Sequence, residues 1–337
     1  MNAPRPQAHL PPAPRHQHRI RWRGFSMVEL LVALTIGLFL SAGVLQLFLG
    51  TRQTYRFEES LARLQENGRY AIEAISRDLR MVGHIGCGRL GDVLLTNLVD
   101  RVEFSDETLI SDAIEDTVAD DVASGTDFMR LRLLSAESAW VTKDMERKTD
   151  PIVIASNPGG FDDDDILAIS NCENIDIFAP SSVTSTEITP ANALSEAYKV
   201  GNITEGDEDD RPGRYASVVK RLRDVTYYVH ENGLWRSRYI PDEDNDTARN
   251  IKEELLDGVQ DMWIQYGTPD GYEDDPDDVA DWREVRGVRI SLLLVSPDIG
   301  SNDAPQSLEW RGVTQAYEDG RLRQVFSATI ALRNRLQ

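Results

Sequence analysis

The sequence predicts an α+β protein in which one long N-terminal helix, apolar in its first half, lies against an antiparallel β-sheet. Three observations carry this reading. Residues Leu30 to Leu49 hold no charge. Leu61, Leu64, Ile72, Ile75, Leu79 and Val82 then recur at helical spacing among charged residues. Beyond Gly83 the chain breaks into short β-like runs divided by acidic, Gly-rich or Pro-containing turns. With 337 residues, 41% of them hydrophobic, there is chain enough for a buried core.

Residues 1–24 carry Arg5, Arg15, Arg19, Arg21 and Arg23 with no acid, and five prolines from Pro4 to Pro14. They read as an unstructured cytoplasmic leader. Twenty uncharged helical residues from Leu30 span roughly 30 Å, the hydrocarbon thickness of a bilayer, so 25–50 predicts a transmembrane helix. The arginines before it place the N-terminus in the cytoplasm and the body outside. A secretory signal peptide would have a shorter apolar region followed by its cleavage site, whereas here the small residue, Gly24, precedes the run.

Residues 51–83 continue the helix as an amphipathic segment, with Gly83 and Gly86 as terminators, so one helix is expected from Phe25 to Val82. The body, 84–337, offers strands at 128–135, 151–156, 166–170, 175–179, 218–229, 234–240, 285–296 and 325–334. Asn232-Gly233 is the expected turn of a hairpin. A second helix is expected over 252–263.

Lys+Arg number 36 against Asp+Glu 57, a formal net charge of -21. That balance argues against a nucleic-acid partner. No Walker A loop, GxSxG, HExxH or strand-linked GxGxxG is present, so the reading is not an enzyme. The two cysteines, Cys87 and Cys172, would pair in an oxidising compartment. Most acidic runs read as solvated loops and no cofactor is required. Asp242, Asp244, Asp246, Asn250 and Glu253, however, occupy places one, three, five, nine and twelve of an EF-hand-like loop. The spacing admits calcium, although Thr247 stands where the turn wants Gly.

Glu29 is the one acid in an apolar helix, and no Lys or Arg lies between Phe25 and Gly50. An acid at such depth wants a cationic partner. Cleavage after Gly24 would create one, the amine of Phe25. The string Gly24-Phe25-Ser26-Met27-Val28-Glu29 followed by LLVALTIG resembles the class III signal of type IV pilins and type II secretion pseudopilins. Farther on, ILAISNCENIDIF, LLDGVQDMWIQYG, Trp282, VRGVRISLLLVS and RLRQVFSATIALRNRLQ are similar to PilW-type minor pilins, with the J-type minor pseudopilin a more distant relative.

The resemblance implies a type IV pilin fold, with Gly24 the residue cut by prepilin peptidase, Phe25 the N-methylated mature terminus and Glu29 the assembly carboxylate. It also implies inner-membrane insertion, then a place in the pilus at the cell surface and a part in twitching motility. Other minor pilins, the major pilin and, where present, a large tip adhesin are the implied partners. Gln46 stands where many major pilins carry a helix-breaking Pro. A type II pseudopilin, and more distantly a membrane-anchored calcium-dependent adhesin or enzyme, stay open as alternatives.

Overall fold

The computed structural model describes residues 25–86, 90, 93–100, 104–105, 108–111, 116–200, 216–240, 249–298 and 304–335. In chain order they form α1 (Met27–Met81), β1 (Leu94–Asn97), β2 (Ile110–Ser111), α2 (Asp116–Ala119), β3 (Met129–Leu134), β4 (Ala139–Trp140), β5 (Ile152–Val153), β6 (Leu167–Ser170), β7 (Asn174–Phe178), β8 (Pro180–Val183) and β9 (Glu187–Pro190). The chain goes on through β10 (Val218–His230), β11 (Gly233–Ile240), β12 (Arg249–Asp257), β13 (Val259–Thr268), β14 (Gly271–Glu273), β15 (Gly287–Val295), β16 (Gln306–Trp310), β17 (Val313–Tyr317) and β18 (Arg323–Ala331). This is the α+β, pilin-like architecture expected: one long N-terminal apolar helix and a large β-sheet domain. Two compact units divide the chain, Met1–Tyr55 and Arg56–Gln337.

In the second unit a nine-stranded sheet runs in the order β1-β7-β6-β10-β11-β12, with β3 and β4 also on β10 and β2 on β3. Its pairs are antiparallel except β1 with β7, a parallel departure from the expected pattern. A four-stranded sheet, β14-β13-β15-β18, adds the C-terminal segments.

The amphipathic stripe of α1 supplies Leu64, Ala71, Ile75 and Leu79 to a core shared with Leu131, Val225, Tyr227, Ile264 and Leu292. Leu61 and Ile72 pack at its margin. Gly68 lies within the stripe because a side chain would not fit there: a Cβ would stand 2.5 Å from the Phe326 ring of β18. Gly83 ends the helix in the left-handed region, φ 76°, and Asn334 Nδ2 donates to the carbonyls of Arg80 and Val82. On β6 the alternation splits two cores. Ala168 faces the first, while Leu167 and Ile169 face a second core built with Phe161, Phe178, Ile188, Tyr198 and Val219.

Two expectations need correction. Residues 252–263 are not a helix: β12 and β13 meet at Gly258, φ 83°. A β-bulge between Val259 and Asp261 turns both Val259 and Met262 inward, and that three-residue spacing imitated a helical period. The hairpin turn is centred one residue earlier than expected, on Glu231 and Asn232, both with positive φ, and His230 pairs with Gly233. The two left-handed residues fit a type I′ turn. Gly233 instead sits close against β12, where a Cβ would lie 3.3 Å from the Leu256 carbonyl oxygen.

Candidate assembly site

Ser26 precedes the first helical residue, and three positions on stands Glu29, the Ser-x-x-Glu pattern of a capping box. The geometry is a shortened form of that box, in which the serine hydroxyl accepts from the amide two residues on rather than three. The Val28 amide donates to Ser26 Oγ at 3.3 Å, and the Ser26 amide donates to Glu29 Oε2 at 3.2 Å. No other polar contact engages Glu29 among the described residues. The Ser-x-x-Glu spacing is the sequence signal for this cap.

Every residue from Phe25 to Glu59 is exposed, including Phe25 at 84% and Phe39 at 78%. The helix that carries them is long and apolar enough to cross a membrane. Thr35, Thr51 and Thr54 donate to carbonyls four residues back, so their hydroxyls do not stay unpaired on an apolar surface. Phe25 and Glu29 therefore share one exposed helical end. Gly24, the expected cleavage residue, falls outside the described residues.

From Ser60 onward the same helix is gripped by the body. Asp78 is 6% exposed and accepts a 2.7 Å hydrogen bond from Tyr227 of β10. Arg236 of β11 approaches the same tyrosine and binds Glu253 of β12, its Nε 2.7 Å from Oε1. Helix and three strands are thus joined by a polar chain beside the core. Asp78 was legible as a lone acid within the apolar stripe, three residues after Ile75.

The calcium-like set falls partly on β12. Asp242, Asp244 and Asp246 fall outside the described residues. Asn250 and Glu253 lie on β12, where odd spacing sends them to opposite faces of the strand. Ser237 Oγ donates to Asn250, and Arg236 holds Glu253. The helix that follows an EF-hand loop is here a strand. No group of three or more His, Cys, Asp or Glu is placed to hold a metal among the described residues.

Cys172 is half-buried in the β6–β7 turn, and Cys87 falls outside the described residues. The chain just before Cys87 is pinned near that turn. Ser170 Oγ donates to the Ile85 carbonyl at 2.5 Å, and a Cβ on Gly86 would lie 3.5 Å from the same oxygen. Close by, His84 is held below its ordinary pKa by burial and then by Lys220, whose own ammonium is disfavoured by burial.

An exposed apolar helix opening on a Phe-Ser-x-x-Glu end, ahead of a large β-sheet body, supports a single-pass, membrane-anchored pilin with its body on the periplasmic side. Residues 23–45 match the prokaryotic N-terminal methylation motif. Residues 223–334, from the middle of β10 past β18, match the family model of type IV pilus-assembly protein W. Together the two matches support a type IV pilus minor pilin of the PilW type, with a role in assembly. No curated protein matches the chain.

Proposed function

We propose that this minor pilin primes fibre assembly with other minor pilins and the major pilin. Prepilin peptidase removes the leader between Gly24 and Phe25, the new amine is methylated, and Glu29 then pairs with the terminal amine of a neighbouring subunit. The carrying observation is the isolation of Glu29: one carboxylate on an exposed apolar helix, with no cation in the run from Phe25 to Gly50 and, among the described residues, only its own Ser26 amide as partner. Charge attraction is strong in apolar surroundings, so the pairing would set axial register between helices. In the primed complex this subunit sits at the fibre tip, next to a large adhesin where one is present.

Mass spectrometry of the protein from cell envelopes tests the switch. The expected mature chain begins at a methylated Phe25; a chain still beginning at Met1 in piliated cells would overturn it. Deletion separates the pilus from the type II secretion alternative: loss of fibres and twitching supports the first, loss of export of folded enzymes the second.

A Cys87–Cys172 disulfide belongs to the same reading. The contacts of Ile85 and Gly86 with Ser170 support it, since each cysteine lies one or two residues beyond them. Closing that loop would stabilise the body by about 4 to 5 kcal/mol in the chain-entropy model. Peptide mapping without reductant should recover the linked pair, and two alkylated thiols would dismiss it.

A further inference from the structure

Away from the helix, the body holds a cleft of about 520 Å³ between β10, the end of β11 and the loop before β6. Such a volume suits a small ligand. Most of its charge is already matched. Asp224 takes both Arg130 and Arg132. Arg221 lies 2.6 Å from Asp165 and donates to the Gly160 carbonyl.

Two arginines are left over. The register sets Arg238 opposite Val225, so Arg223, two residues from Val225, is its diagonal neighbour on the same face. Neither has an acid or a hydrogen-bond acceptor among the described residues. Arg238 Nε is moreover closed off from solvent. A ligand in the cleft does not reach that nitrogen; it meets the outer guanidinium nitrogens of Arg238, which are not closed off and have no acceptor among the described residues. The rim shows the converse arrangement. Asp162 and Asp164 are exposed and their carboxylates accept no hydrogen bond among the described residues.

We propose that this cleft binds an acidic sugar of the uronic-acid class, its carboxylate on Arg223 and Arg238 and its hydroxyls donating to Asp162 and Asp164. A planar guanidinium pairs well with a carboxylate. Sugar hydroxyls can take the place of the water that hydrates these exposed rim carboxylates, without adding charge. A neutral sugar satisfies the rim alone. A simple dicarboxylate such as succinate satisfies the arginines but offers the rim no donor.

The test is calorimetric titration of the full chain, held in a detergent without a sugar headgroup, with D-glucuronate, D-glucose and succinate. Saturable binding of glucuronate is expected, with glucose and succinate at least about ten-fold weaker. Arg223→Gln and Arg238→Gln should each weaken glucuronate about ten-fold or more, as should Arg238→Lys, which keeps the charge and loses the fork. Melting curves matching the wild type show that each variant is folded. No saturable binding, equal binding of the three probes, or wild-type affinity in both Gln variants overturns the proposal.

Discussion

The hydroxyl of Tyr227 on β10 donates a 2.7 Å hydrogen bond to Asp78 Oδ2 on α1, and both residues are buried. Because the helix face around Asp78 is otherwise apolar, this bond makes the acid tolerable inside the body. Tyr227→Phe would leave Asp78 short of a donor and is expected to destabilise the body by about 1.5 to 3 kcal/mol. The double variant Tyr227→Phe, Asp78→Leu should recover part of that loss, since neither polar group then remains. Denaturant melts of the four proteins close the cycle; additive losses would show the two residues to be uncoupled.

The same tyrosine sets an alkaline limit. Burial, and then the charge of Asp78, push its hydroxyl well above the ordinary tyrosine range, and burial followed by Asp121 pushes Tyr228 to about 12. Each stays protonated in the fold after it would ionise in the unfolded chain, so the unfolded state binds fewer protons above pH ~10. The stability they hold is full below that pH and is lost as pH rises toward the folded values. Melting temperature should therefore fall steeply from pH 10 upward, and Tyr227→Phe should flatten the fall. A slope unchanged by the substitution would assign the alkaline loss elsewhere.

Gly68 offers a prediction whose sign runs against helix propensity. In an exposed helix, Gly→Ala gains roughly 1 kcal/mol. Here any Cβ meets the Phe326 ring at 2.5 Å, so Gly68→Ala is expected to destabilise, and Gly68→Leu to do so by about 1 to 3 kcal/mol. Phe326→Leu should restore much of the loss in the Ala variant. A stabilised Gly68→Ala would mean that β18 yields to the helix.

Asp319 and Asp127 shift in opposite senses. Hydrogen bonding by Arg323 outweighs desolvation and lowers Asp319 to about 2, so its contribution is present above pH ~4 and lost as pH falls toward 2. Asp127 is raised chiefly by burial, against the Ile264 amide and Arg311; just above the ordinary carboxylate value it favours the fold more as pH falls. Asp319→Asn should remove part of the acid-side loss between pH 4 and 2, more visibly at low salt because the pair is partly exposed. An identical acid limb in wild type and variant would argue against this pair.

What the sequence disclosed followed from regular periods. The uncharged run, the stripe from Leu61 to Val82 and the alternating strands such as MRLRLL are local patterns, and each became the expected element. The failures came where one residue broke the period. The bulge after Val259 made a strand look helical, and Glu231 took a left-handed conformation that glycine was expected to supply. Partners distant in the chain were hidden altogether. Arg130 and Arg132 alternate with leucines on β3, and both are buried on Asp224, more than ninety residues away. At the assembly end, Phe25 and Glu29 were legible from sequence, while the capping role of Ser26 emerged from hydrogen-bond geometry.

That geometry separates two roles for Glu29, as a cap for its own helix and as a charge for a neighbour. Glu29→Gln keeps an oxygen to accept from the Ser26 amide and loses the charge, Glu29→Ala loses both, and Ser26→Ala removes the other half of the box at about 0.5 to 2 kcal/mol of helix stability. If charge pairing drives incorporation, Gln and Ala at position 29 should fail alike, each reducing recovery in sheared fibres at least ten-fold, while Ser26→Ala stays near wild type. If capping is what matters, Glu29→Gln should assemble normally and Ser26→Ala should not. Immunoblots of the fibre fraction against the membrane fraction read the distinction, provided the methylated Phe25 terminus is found in every variant. Insertion and processing are then intact, and the difference lies in the contact between subunits.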